Sequence, residues 1–117
     1  MRRSEDFTDA LRKGTRAATP TVVVHLDARP REGEPLVGFV VSKAVGNSVI
    51  RHRVQRQLRH LMRDKVTSLP GGSRVVVRAL PPAAEAGSAV LRTDIDGALV
   101  RAAAKAGSAV GDQGVRR

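Results

Sequence analysis

The groups that could do chemistry in this chain are three histidines, eleven side-chain carboxylates and a large surplus of cations, with no cysteine at all. Acid–base catalysis needs paired imidazoles or carboxylates, metal-assisted hydrolysis needs a ligand cluster, and covalent catalysis needs a nucleophile beside a base. His25 falls in an apolar run, whereas His52 and His60 sit eight residues apart in the basic stretch "GNSVIRHRVQRQLRHLMRDK" (46–65). In such a stretch two imidazoles serve more simply as extra donors to an anion than as an acid–base pair. Glu5, Asp6 and Asp9 fall at one predicted helix start, and Asp94 and Asp96 at another, where acids complement the helix dipole. "PGGS" lacks the Gly-Lys-Ser/Thr of a phosphate-cradling loop, and "GNSV" lacks the second glycine of a backbone-clamping KH loop. No protein active site is predicted.

The cations carry the stronger signal. The formal charge is +10, and segment 43–65 supplies +6 of it through seven basic residues and one acid. Segment 25–36, "HLDARPREGEPL", is by contrast net −1. A located excess of this size implies an anionic partner, with nucleic acid the first candidate and a membrane surface the second. Solvated helix faces usually mix acids and bases at i, i+4 spacing, but Arg59 and Arg63 stack at that spacing without an intervening acid, and Arg56 adds to them. Arginine outnumbers lysine here, which suits forked contact with phosphate.

These residues must be placed by a small scaffold. A chain of 117 residues makes one domain. Its core must come from Val, Leu, Ile and Ala, because Phe7 and Phe39 are the only aromatics. The absence of cysteine excludes disulfides and thiolate metal sites. No apolar stretch approaches the ~20 residues of a membrane span, and no secretory signal is read, so a soluble cytoplasmic protein is expected.

Along the chain, "SEDFTDALRKG" (4–14) predicts a short helix with Phe7, Ala10 and Leu11 on one stripe. "TVVVHL" (21–26) and "LVGFVVSK" (36–43) predict strands, the first buried on much of both faces, with room for one further strand pairing around them. Between them, 27–35 is a surface loop. Gly46 ends the strand and Asn47 or Ser48 caps a helix. On a wheel of about 100° per residue, Ile50, Val54, Leu58, Leu61 and Met62 fit one arc of about 120°, while His52, Arg53, Arg56, Arg59, His60 and Arg63 oppose it. Arg51 lies on the border. "SLPGG" closes that region, "SRVVVRAL" (73–80) is a third clear strand, and "PPAAEAGSA" reads as a loop. Thr93 or Asp94 then caps a last helix with Ile95, Ala98, Leu99 and Ala102 inward, and a flexible tail is expected over 107–117. Residues 1–106 are thus expected to form one α/β (α+β) two-layer sandwich.

"SEDFTDALRKG", "VGFVVSKAVGNSVIRHRVQRQLRHLMRD" and "GSRVVVRALPPA", in this order and spacing, resemble the bacterial ribonuclease P protein subunit over roughly residues 4–105. The resemblance implies the element order α-β-β-β-α-β-α, a mixed sheet of about four strands, and a left-handed crossover through the Arg-rich helix. The hand commonly favoured by strand twist is the opposite one. It also implies a protein that does not cut RNA itself. A catalytic RNA would hold the Mg²⁺ ions and remove the 5′ leader of precursor tRNA, while the protein, monomeric alone and away from membranes, binds both RNAs. By the same likeness the catalytic RNA meets Lys43, Asn47, Arg51, Arg53, Arg56 and Arg59, to which the cationic arc adds His52, His60 and Arg63. The leader cleft would comprise Phe7, Leu11, Val22, Val24 and His25.

The chain departs from that family at several points. His52 replaces the asparagine of an Arg-Asn-Arg motif, Gln55 replaces a base, Leu11 replaces an aromatic, and "TVVVHL" lacks the family's strand aromatics. Leader contact weaker than the family norm is expected. Two competing classes are a ribosome-associated or RNA-chaperone protein with no processing role, and a protein-only nuclease.

Overall fold

The computed structural model describes residues 14–28, 33–69 and 71–111. The helix expected over 4–13, with Phe7 and Leu11, lies outside them. The described elements are β1 (Thr15–Ala18), β2 (Val22–Asp27), β3 (Leu36–Val40), α1 (Ser48–Arg63), a 3-10 turn (Val66–Ser68), β4 (Arg74–Ala79) and α2 (Ala83–Gly111). They form a mixed four-stranded sheet in the order β1-β2-β4-β3, antiparallel except for the β3–β4 pair. The α+β class and the mixed sheet expected from the sequence are therefore present.

β1 is the additional pairing the sequence allowed. Its hairpin to β2 is tied by Thr19, whose hydroxyl donates to the Val22 carbonyl at 2.9 Å and accepts from the Val22 amide at 3.0 Å. Alternation along the strands sorts side chains between two faces. Ala17, Val22, Val24, Leu26, Val75, Val77 and Ala79 face the core cluster with Val54, Leu58, Leu61 and Met62 of α1 and Leu91, Ile95, Ala98 and Ala102 of α2. Val22, Val24, Val54, Leu58, Val75 and Val77 are wholly inaccessible. Burying side chains of this size contributes roughly 1.5–3 kcal/mol each, which is how a core with almost no rings holds.

α2 begins earlier than the sequence suggested. The stretch read as a loop, "PPAAEAGSA", is helical, and neither Thr93 nor Asp94 caps anything. Ala83, Ala84 and Glu85 amides bond to the carbonyls of Leu80, Pro81 and Pro82, so the two prolines open a helical turn instead of forbidding one. Gly87 (φ 81°, ψ 163°) then breaks the backbone before the long helix proceeds. Asp94 instead accepts from the Thr21 hydroxyl at 2.5 Å, pinning mid-helix to the start of β2. Thr93 donates to the Ala89 carbonyl at 3.2 Å. Helix continues through Gly107 to Gly111, past the point where the tail was expected to begin.

α2 also covers the free edge of the sheet. Arg101 donates to the Ala18 carbonyl at 2.7 Å and Lys105 to the Arg16 carbonyl at 2.6 Å, while the Thr15 hydroxyl donates to the Ala102 carbonyl at 2.7 Å. Two of the chain's cations are thereby spent on the backbone of β1. Among the described residues no helix is long and apolar enough to cross a membrane.

Candidate nucleic-acid interface

The basic helix is set in place by its entry turn. Val45 and Gly46 amides bond back to Ser42 and Lys43 carbonyls. At Gly46 an added Cβ would stand 2.9 Å from Cγ2 of Ile50, so the turn and the first helical turn pack too closely for any other residue. Asn47 is the N-cap: its side-chain oxygen accepts from the Ile50 amide at 3.0 Å. The first turn contains no acid. Nothing there offsets the positive end of the helix dipole, which adds to the field of the cations.

From that start, the apolar periodicity orients the helix. Val54, Leu58, Leu61 and Met62 are buried and Ile50 is half-buried against them. His52, Arg53, Arg56, Arg59, His60 and Arg63 consequently face outward and are exposed, and Arg51 on the border is half-buried. The Nε of Arg51 is buried and has no partner. Among the described residues no carboxylate pairs with Arg56, Arg59 or Arg63. An open depression of about 380 Å³ lies along the outer side of the first two turns, lined by Ser48, Val49, His52, Arg53 and Arg56, with Val49 74% exposed.

One residue of the cationic set, and a neutral neighbour on the same helix, have structural work as well. Arg53 donates to the Ala84 carbonyl at 2.6 Å, and Gln57 to the Ser88 hydroxyl at 3.4 Å. With the Lys65–Asp96 ion pair at 2.5 Å, these contacts recur at a constant offset along α1 and α2. The two helices therefore lie side by side in the same direction. Arg53 clamps the first turn of α2, and the cap occupies the Asn47 oxygen. Lys43 is exposed in the turn, just ahead of the helix.

The structure divides the residues expected to line the leader cleft. Val22 and Val24 are wholly buried on the helix-covered side of the sheet. Strand alternation puts His25 on the opposite side, half-buried. Arg16 is its cross-strand partner, and Arg78 stands one row along on β4. Both arginines are exposed and were not singled out from the sequence; the signal that could have found them is the period-2 pattern through His25. Burial first, then the Arg16 and Arg78 guanidiniums, hold the His25 imidazole below its ordinary pKa. Among the described residues, no three His, Asp or Glu side chains gather as a metal-binding group.

The comparisons with known proteins agree with this geometry. The family model described as Ribonuclease P matches residues 1–103. The ribonuclease P protein component of Streptomyces avermitilis is 54% identical over 109 residues, covering 86% of this chain and 89% of that protein. That of a Nocardioides species is 51% identical, covering 90% and 92%. Among solved structures, the Staphylococcus aureus RNase P protein superimposes with a TM-score of 0.72 at 25% identity, covering 87% of this chain and 93% of that one. The Thermotoga maritima RNase P protein gives 0.69 at 19% identity, over 83% and 91%, a likeness of fold.

Proposed function

We propose, for a chain that belongs to the bacterial ribonuclease P protein family, that its work is to hold RNA while the bond is cut elsewhere. It is the RNA-binding subunit of a tRNA-processing endoribonuclease, and the catalytic centre and its Mg²⁺ belong to the partner RNA. One observation carries this reading: Arg56, Arg59 and Arg63, with His52 and His60, stand exposed on one side of α1 with no carboxylate partner among the described residues, while the other side is locked into the core. Like charges at this spacing cost a few tenths of a kcal/mol per pair unless an anion neutralises them. A folded RNA supplies phosphates along such a stripe, and the guanidinium forks suit their geometry.

The protein's contribution is electrostatic and positional. By neutralising phosphates it lowers the repulsion between catalytic RNA and substrate, which lessens the Mg²⁺ needed for assembly. The single-stranded leader is the second RNA that the protein holds. The complex works in the cytoplasm.

Reconstitution with a cognate catalytic RNA tests this. Precursor tRNA should be cleaved faster at low Mg²⁺ when the protein is added, and the protein alone should not cleave. His52→Ala with His60→Ala should leave the holoenzyme active. RNA binding without any acceleration would assign the chain to the chaperone class, and cleavage by the protein alone would restore the protein-only nuclease.

A further inference from the structure

The outer side of α1 is not uniform along its length. Towards the C-terminal end, Arg59, His60 and Arg63 present only polar groups to solvent. Over the first two turns, Ser48, Val49, His52, Arg53 and Arg56 bound the open depression of about 380 Å³, a size within the range of about 300–1,000 Å³ found for small-ligand clefts. Helical stacking sets Ser48, His52 and Arg56 in one file and Val49 with Arg53 in the next. Val49 is the odd member. It is the most exposed large apolar side chain among the described residues, 74% accessible. A lone valine on a surface carries no message by itself. This one is surrounded by two guanidiniums, an imidazole and a hydroxyl, in a turn where a β-branched residue does little for the helix. A phosphate gains nothing from its two methyl groups, whereas the flat face of a base does.

We propose that this depression receives one unstacked nucleotide of the catalytic RNA, with its base against Val49 and the His52 ring and its phosphate between Arg53 and Arg56. The inference rests on the reading that α1 docks that RNA, and it adds that the helix reads different things at its two ends: a base at the first turns and backbone charge further on. A base laid on Val49 takes apolar surface of both partners out of water. The imidazole adds a π-face that accepts any base by stacking, and the Ser48 hydroxyl can donate to or accept from a base edge or a 2′-hydroxyl. Arg53 is preset for its part. One of its guanidinium nitrogens donates to the Ala84 carbonyl at 2.6 Å, which fixes the arm as a wall of the depression and leaves its other N–H groups for the ligand. An arm already held loses less freedom on binding. Folded RNA exposes a base face only where a nucleotide leaves the stack, so the ligand belongs to a bulge or loop and not to a regular duplex.

The test measures affinity of the full-length protein for its cognate catalytic RNA from about 50 mM to 1 M salt, plotted as log affinity against log salt. Val49→Ser removes an exposed, uncharged contact. It should lower the whole line by about three- to tenfold without changing its slope, whereas Val49→Ile should stay within about twofold of the wild type. His52→Asn should weaken binding at 1 M salt by about two- to fivefold through loss of the ring. Arg59→Gln should do the opposite of Val49→Ser: a shallower slope, meeting the wild-type line towards 1 M. Acylation of RNA 2′-hydroxyls gives a second readout. At least one nucleotide should become more reactive when the wild type binds and fail to do so with Val49→Ser. A Val49→Ser line that coincides with the wild type, or an unchanged acylation pattern, overturns the nucleotide subsite. An Arg59→Gln line that keeps the wild-type slope overturns the docking of RNA on α1 beneath it.

Discussion

Replacing Arg56, Arg59 and Arg63 together by Gln removes three charges from the outer side of α1, none with a carboxylate partner among the described residues, while leaving its buried side untouched. Arg56 and Arg59 are i, i+3 neighbours and Arg59 and Arg63 are i, i+4 neighbours, so their mutual repulsion costs a few tenths of a kcal/mol per pair. Folding stability should hold or rise slightly, and a thermal melt without RNA checks this. Binding should behave in the opposite sense. Each phosphate contact contributes roughly 0.9 to the slope of log affinity against log salt on a duplex and roughly 0.7 on a single strand. Three lost contacts should make the slope shallower by about 2 to 3. Between 50 and 200 mM salt, the wild type should then lose about 16- to 64-fold more affinity for the catalytic RNA than the variant. Filter binding or fluorescence anisotropy across a salt series reads the slope directly. Arg101→Gln is the matched control, because that guanidinium is engaged with the Ala18 carbonyl. A triple variant with the wild-type slope, or a control that loses as much slope as one member of the stripe, would refute the assignment of RNA docking to α1.

Three further outcomes concern the scaffold. Asn47→Ala removes the acceptor for the Ile50 amide and should cost about 1 kcal/mol in denaturant unfolding, with RNA affinity falling only as far as the first helical turn frays. Gly87→Ala places a Cβ in open space but at φ 81° and ψ 163°, a region that only glycine visits freely, so it should destabilise by about 1–3 kcal/mol through backbone strain alone; an unchanged denaturation midpoint would show that the break can relax. Because the folded His25 imidazole is held below its ordinary pKa by burial, then by Arg16 and Arg78, the unfolded chain takes up the proton first as pH drops. Its contribution to stability is present above the unfolded value near 6.5 and is lost as pH falls through the folded one, so the melting temperature should decline below pH 6.5 less steeply in His25→Gln than in the wild type.

The two sides of α1 were legible in the sequence because helical periodicity is local: residues three and four apart share a side whatever the helix packs on. Ile50, Val54, Leu58, Leu61 and Met62 thus announced the buried arc, and the arginines fell opposite without any knowledge of the sheet. The Asn47 cap and the strand runs through β2 and β4 were local in the same way. The start of α2 was not, since Pro81, Pro82 and Gly87 carry loop composition, while it is the packing of Leu91, Ile95, Ala98 and Ala102 into the core that extends the helix past them. The sheet's second face was hidden for a further reason. A strand's alternation says that Val24 and His25 point apart, but not which of them meets the helices, and that choice belongs to the tertiary core. Nor can spacing bring Arg78 to within one row of His25, fifty-three positions earlier in the chain; only the β2–β4 register does that. The sequence by itself thus determined a helix with one apolar and one cationic side, and the long-range strand pairing decided which residues of distant strands share a face of the sheet.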